Sequence, residues 1–468
     1  MPTFSSTSRN LLSYPCAFNE AFDLIIGLFL AGFLPLNSMS ELKWYRELTP
    51  YQWRVLICTC LGWALDIMDG YLYAIILFPA MSDLLGTTES AVIGWYGGIV
   101  LSIFMIGWAL GGLVFGPIAD RYGRAKTMAI TILFYASFTA LSAIAGNWQE
   151  LAIYRFLTGL GIGGEWAAGA ALIAESFPER SRAKAAGIMQ ASGGIGFFLA
   201  TGLYLFVGPY GWRWVFALGV FPAIVAFYIR HSLEEPDRWR RAKQKGNPFA
   251  ALMAPAVRRD LLVGTGLAVV ATFGYQGAIQ WVPSWVAAML HAQGTRAVIP
   301  HVSLVTATLT AGGIIGCLCL PFAADRWGRK GALFVYFLGA LITVPTTFML
   351  ATELSHAVLA APIMGFFAAG VTAGFAIYFP ELFPTHIRAT AQGFCFNFAR
   401  FFAAAGPLLA GLLTAAPRLL CFSYRHHRFD LCRGIDHSHL RARNQRPSVA
   451  ELTLNNCQTW LDFHVTSE

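Results

Sequence analysis

The chain has 468 residues, of which 56% are hydrophobic, 14% aromatic and only 12% charged, with a mean hydropathy of +0.55 and a formal net charge of +8. A water-soluble domain carries about a quarter of its residues as charges, roughly twice this share, so soluble classes are excluded. The positive balance is therefore read as a loop asymmetry and not as a nucleic-acid surface.

In chain order, the stretch LIIGLFLAGFLPL at 24–36 is too short to cross a bilayer comfortably and has neither a basic lead nor a small-residue cleavage site. Residues 1–44 are read as an N-terminal extension, with Met39 as the expected natural start. Apolar runs of membrane-spanning length follow at 54–80, 91–116, 127–145, 151–175, 185–208 and 212–230. A second set occupies 260–289, 302–324, 331–350, 355–380 and 389–416. The expected organisation is an all-α polytopic membrane protein with helix bundles at 45–230 and 260–416, joined by a charged linker at 231–259.

Lys and Arg gather in one class of loops. Arg121, Arg124 and Lys126, then Arg180, Arg182 and Lys184, then the linker, then Arg326, Arg329, Lys330 and Arg388 belong to it, while only Arg213 and Arg296 fall on the other side. The positive-inside rule places this class, the linker and the N-terminus in the cytoplasm, with the chain in the cytoplasmic membrane. Cys58, Cys60, Cys317, Cys319 and Cys395 lie inside apolar runs and form no spaced framework, so neither disulfides nor a metal site is expected.

Two motifs are written twice. GPIADRYGRAK at 116–126 returns as PFAADRWGRKG at 321–331, with Asp120 and Asp325 205 positions apart. ESFPERSRAKAAG at 175–187 returns as ELFPTHIRATAQG at 381–393, offset by 206, which aligns Glu175 with Glu381 and Arg182 with Arg388. Two motifs in one order at nearly one offset imply homologous parallel halves, an architecture of transporters with the substrate site between them.

On these residues the chain resembles the major facilitator superfamily. Its signature turn is matched by Gly116, Asp120, Arg121, Gly123 and Arg124, and less completely by Asp325, Arg326, Gly328 and Arg329, where Pro321 stands at the first glycine position. Arg155, Gly159, Gly161 and Gly163 match a fourth-helix pattern, and GWRWVF with LEEPDRW is similar to segments of sugar and organic-acid symporters. The resemblance covers about residues 45–416 and implies two six-helix bundles whose Asp-Arg turns latch the cytoplasmic side in one state, each Asp accepting from a neighbouring helix N-terminus and the arginines remaining in the cytosol and pairing across the two halves.

Charges inside the spans need a role, since each costs roughly 2.5–3.5 kcal/mol at mid-bilayer. Asp66 and Asp69 share a face of the first span, and Arg155 is their expected partner, with Asp69, or else Asp66, in the switch position that proton-coupled relatives use; a purely structural ion pair is the alternative. Glu165 is read equally as a second proton site or a packed acid. In the eleventh span, Arg400 and Asn397 point to an organic anion, which a guanidinium grips in two places; a structural pairing of Arg400 with a helix carbonyl or Glu381 is the other reading. Gln276 and Gln280, one turn apart, fit a hydroxylated substrate and keep a sugar:proton symporter open as the alternative.

After Ala416 the expected twelfth span is missing; residues 417–468 form a polar, His- and Arg-rich tail read as disordered or out of frame. The combined expectation is a monomeric proton symporter of a small organic acid, without cofactor, metal or nucleic-acid partner. No nucleophile–base constellation speaks for an enzyme. A drug or metabolite exporter and a non-functional truncated transporter are the further readings.

Overall fold

The computed structural model describes residues 41–242, 247–279, 282–293 and 298–407. A chain in lipid must satisfy its backbone internally, and among the described residues the regular structure is entirely helical. Helix α1 (Pro50–Leu85) starts at a capping box, in which Thr49 accepts from the Gln52 amide and the Gln52 side chain accepts from the Thr49 amide, and it stops at Gly86. Helices α2 (Ser90–Tyr122) and α3 (Arg124–Ser142) meet at Gly123, whose φ of 124° favours glycine. Then come α4 (Trp148–Ser176), α5 (Glu179–Val207), and the shorter α6 (Trp212–Ala217) and α7 (Pro222–Ser232).

The linker forms α8 (Asp237–Ala242) and α9 (Pro248–Leu252). The second half contains α10 (Pro255–Ala278), α11 (Val282–Ala292), α12 (Val298–Leu350), α13 (Leu354–Ala368), α14 (Val371–Leu382) and α15 (Arg388–Ala403). Helix α12 is two helices joined at Gly328, where φ is 74°. This break is the counterpart of Gly123, so both copies of the duplicated motif make their turn at a glycine.

Among the described residues eight stretches are long and apolar enough to span a membrane, one of which, Val298–Leu350, contains the kinked pair. The region where a twelfth span would follow (and is expected to be missing), the N-terminal extension up to residue 40 and the tail lie outside the described residues.

Packing repeats between halves. Helix α2 lies along α4, and α12 lies along α13. Small residues allow these approaches, which is how helices associate when lipid removes the hydrophobic drive. A side chain at Gly163 would overlap the Trp108 carbonyl, and one at Gly316 would overlap the Phe366 carbonyl. The halves meet through α2 against α15 and α5 against α12. Outward faces carry exposed apolar side chains such as Leu133, Phe206, Leu341 and Met349, as a lipid-facing surface requires.

Gly163→Leu should therefore separate α2 from α4. Because backbone faces the new side chain, the cost should be at least the ~1–3 kcal/mol typical of overpacking. Fluorescence-detected size exclusion after heating should show a lower melting temperature and less monodisperse protein.

Candidate functional site: charges buried at the seam between two bundles

One end of the seam is closed by the first Asp-Arg turn. Asp120, at the end of α2, accepts from the Ala389 amide (3.2 Å), the Thr390 amide (2.8 Å) and the Thr390 hydroxyl (2.5 Å). These donors are the first turn of α15, so a carboxylate of one half caps a helix of the other. Arg124 reaches Asp120 at 2.9 Å and Glu175 at 3.0 Å, and donates to the Thr385 carbonyl at 2.7 Å. Arg388 crosses back to Glu175 at 3.1 Å and donates to the Pro380 carbonyl.

The expected cytosolic arginine is thus corrected for Arg124, which is 0% exposed. Two buried carboxylates neutralise it, and a guanidinium between them needs no water. Arg121 and Arg326 do face outward.

The second copy is looser. Asp325 accepts from Lys184 at 2.9 Å, and Lys184 stands 206 positions before Thr390, the equivalent place in the other half. The Asp325 side chain is 39% exposed against 1% for Asp120. Arg329 pairs with Glu381 at 2.8 Å. Arg182, the counterpart of Arg388, leaves Nε and Nη2 without hydrogen bonds.

The linker engages the first turn, which sequence reasoning missed. Glu235 accepts from the amides of Arg124 (2.6 Å), Ala125 (3.3 Å) and Lys126 (3.0 Å), capping α3. Trp239 donates to the Asp120 carbonyl at 2.8 Å. The signal available was LEEPDRW itself, an acidic, Trp-containing segment following the sixth span.

Deeper in the first half, Asp69 meets Arg155 at 3.2 Å and accepts from Thr139 at 2.6 Å. The Arg155 guanidinium lies 4.7 Å from the Phe104 ring and 5.4 Å from the Phe216 ring. Asp66, one turn earlier, turns to Glu165 and Tyr135 instead. The structure thus gives different partners to two acids that the sequence placed on one face.

In the second half Arg400 is 9% exposed and about 18 Å into α15 by helical rise. It donates to the Phe396 carbonyl (3.0 Å) and Asn397 Oδ1 (3.3 Å), and lies over the rings of Trp108 (4.3 Å) and Phe396 (4.4 Å). It has no acidic partner among the described residues. Asn397 is fully buried and ties α15 to α4 through the Gly163 carbonyl at 3.2 Å. Gln276 is in the last turn of α10 with its side chain outside the described residues, and Gln280 lies outside them altogether.

An aromatic cluster unforeseen in the sequence closes the centre. Trp166 stacks on Phe396 at 3.8 Å, Trp63 abuts both, and Gln190 links Trp166 (3.0 Å) to Thr372 (3.2 Å) across the halves. Isolated aromatics in apolar spans carry no periodic sign of such a meeting.

Two bundles clasped at one end, with buried charges along their seam, define a secondary-transporter architecture. The chain belongs to the Major Facilitator Superfamily, whose family model matches residues 59–407. It is 32% identical over 383 residues to a Haemophilus influenzae protein named for metabolite transport, covering 79% of this chain and 91% of that one. It is 30% identical over 380 residues to a Cupriavidus pinatubonensis protein named for 4-methylmuconolactone transport, covering 79% and 86%. The sialic acid transporter NanX of Escherichia coli is 28% identical over 375 residues, covering 78% of this chain and 88% of NanX. The proton:xylose symporter XylE superposes with a TM-score of 0.62 at 19% identity, covering 79% of this chain and 90% of that one, a likeness of fold.

Glu175 joins arginines from both halves, so Glu175→Gln leaves buried guanidinium charge undercompensated. A loss of about 3–5 kcal/mol is the usual scale for breaking such a pair. The melting temperature should fall, and Arg388→Met in the same background should recover part of it.

Proposed function

We propose that this protein carries a small organic acid together with a proton across the cytoplasmic membrane by alternating access. The observation that carries the anion is Arg400, a buried guanidinium mid-span at the seam without a carboxylate among the described residues. A permanent cation in an apolar surround favours a substrate that brings the missing negative charge, and its planar fork suits a carboxylate. The aromatic rings on either side of Arg400 give that substrate an apolar wall. Relatives named for 4-methylmuconolactone, sialic acid and niacin transport support the organic-acid class.

The proton enters through the buried acids of the first half, with Asp69 opposite Arg155 as the switch. When Asp69 is charged, the ion pair ties α1 to α4; when it is protonated, the tie weakens. The basic loops support a cytoplasmic latched end, and on that reading the arrangement described is closed toward the cytosol. Opening that end requires the Asp120 cap on α15 to break.

Binding of matched acids and amides, such as nicotinate against nicotinamide within a panel of unsaturated and sialic acids, tests the anion. Wild type should prefer the acid, Arg400→Lys should weaken it by about tenfold or more, and Arg400→Ala should remove the preference. Equal binding of acid and amide across the panel would sink the assignment.

The latch has its own test. Asp120→Ala should speed alkylation, from the cytosolic side, of a cysteine placed at Gln190 by about tenfold, since three hydrogen bonds and an ion pair are lost. Asp325→Ala, which loses the charged hydrogen bond from Lys184 and a longer ion pair with Arg329 at a partly exposed site, should have the smaller effect. Unchanged labelling in both variants would confine these turns to topology.

A further inference from the structure

We infer that Asp66 and Glu165 share a single proton and form a second protonation site, distinct from the Asp69–Arg155 ion pair. The inference deepens the proton coupling proposed above and rests on that reading for its role in transport.

Four buried polar atoms converge here without a hydrogen bond of ordinary geometry: both carboxylate oxygens of Asp66, Oε1 of Glu165 and the hydroxyl of Tyr135. The three residues are at most 1% exposed. They come from three helices, Asp66 from α1, Tyr135 from α3 and Glu165 from α4, and Asp66 has both of the others as neighbours. The remaining titratable groups facing them are Asp69 and Cys60, both on α1. Neither supplies positive charge.

Arg155 gives Nη2 to the carboxylate and carbonyl of Asp69, while its Nε and Nη1 make no hydrogen bond. Two ionised carboxylates side by side in this apolar surround would combine like-charge repulsion with loss of hydration. One proton removes the repulsion and leaves a single charge to be stabilised. It turns two orphan acceptors into a donor–acceptor pair, O–H···O, and Tyr135 can donate to the oxygen that remains charged. A metal ion is the less suitable occupant, because no group of three or more His, Cys, Asp or Glu side chains is gathered among the described residues.

The fold reserves the space. A side chain at Gly62, one turn from Asp66, would overlap Glu165 Oε1, so glycine there lets the carboxyl of α4 lie against α1. Asp69 is different in kind, because Arg155 and Thr139 already satisfy it as a carboxylate. On this assignment the closed state keeps Asp69 ionised and stores one proton a turn away. Release breaks one O–H bond, passes the proton to water and leaves two carboxylates. It therefore has to wait until an opening of the seam hydrates them.

Infrared spectroscopy of the purified, substrate-free full-length protein tests this without knowing the substrate. At neutral pH the wild type should show the carbonyl stretch of a protonated carboxyl, shifted in heavy water and unaffected by exchanging sodium for potassium. The band should persist in Asp69→Asn and vanish in the Asp66→Asn/Glu165→Gln double variant. If that variant does not fold, Glu165→Gln alone should move the band, since the remaining acid has lost its partner. A band that survives the double variant, is unmoved in Glu165→Gln, is absent from the wild type or is abolished by sodium would overturn the inference. A band behaving as described, with carboxylate uptake indifferent to a pH gradient, would keep the shared proton and overturn the proposed coupling.

Discussion

The bond between the Asp120 carboxylate and the first amides of α15 is the constraint around which the latched end is organised. A helix start presents unsatisfied donors, and in a membrane protein they must find acceptors within the protein. Here the acceptor comes from the other half of the molecule. Arg124, Glu175 and Arg388 then surround that carboxylate with alternating charge, so the bond and its buried ions exist only while the halves are together. Glu235 and Trp239 extend the same clasp into the linker. Charge on this scale, far from water, is stable only as a complete set.

Duplication did not produce two equal clasps. The second copy replaces a hydroxyl and two amides by one Lys184 ammonium, and its acid is partly open to solvent. A flexible ammonium with a partly hydrated acid makes a weaker and more salt-sensitive bond than a buried helix cap. Sequence symmetry between Asp120 and Asp325 therefore coexists with energetic asymmetry, which arises from the residue each half offers in return: Thr390 on one side, Lys184 on the other.

Further from the latch, the first half keeps its acids and the second half its uncompensated cation. Asp69 is neutralised by Arg155, Asp66 and Glu165 have one another, and Arg400 rests between two aromatic rings. A proton and an anion entering together would balance both sides, which is the electrostatic rationale for the symport proposed above. The stacked Trp166 and Phe396, hydrogen-bonded onward through Gln190 to Thr372, fill the centre between them.

The spans, the two halves and the Asp-Arg turns were legible in the sequence, because bilayer thickness demands long apolar runs and duplication leaves motifs in register. So was the presence of buried charge, since an ionisable residue stands out in an apolar run. Partnership was not legible. Helical spacing sets Asp66 and Asp69 on one face, yet one faces Arg155 and the other Glu165, a choice made by where α3 and α4 cross α1. The burial of Arg124, the capping by Glu235 and the meeting of Trp166 with Phe396 likewise join residues far apart in the chain. Local patterning determines which segments enter the membrane and which carry charge. Only the packing of one helix on another decides which charges meet, because Coulomb and hydrogen-bond energies depend on distances that no spacing along the chain encodes.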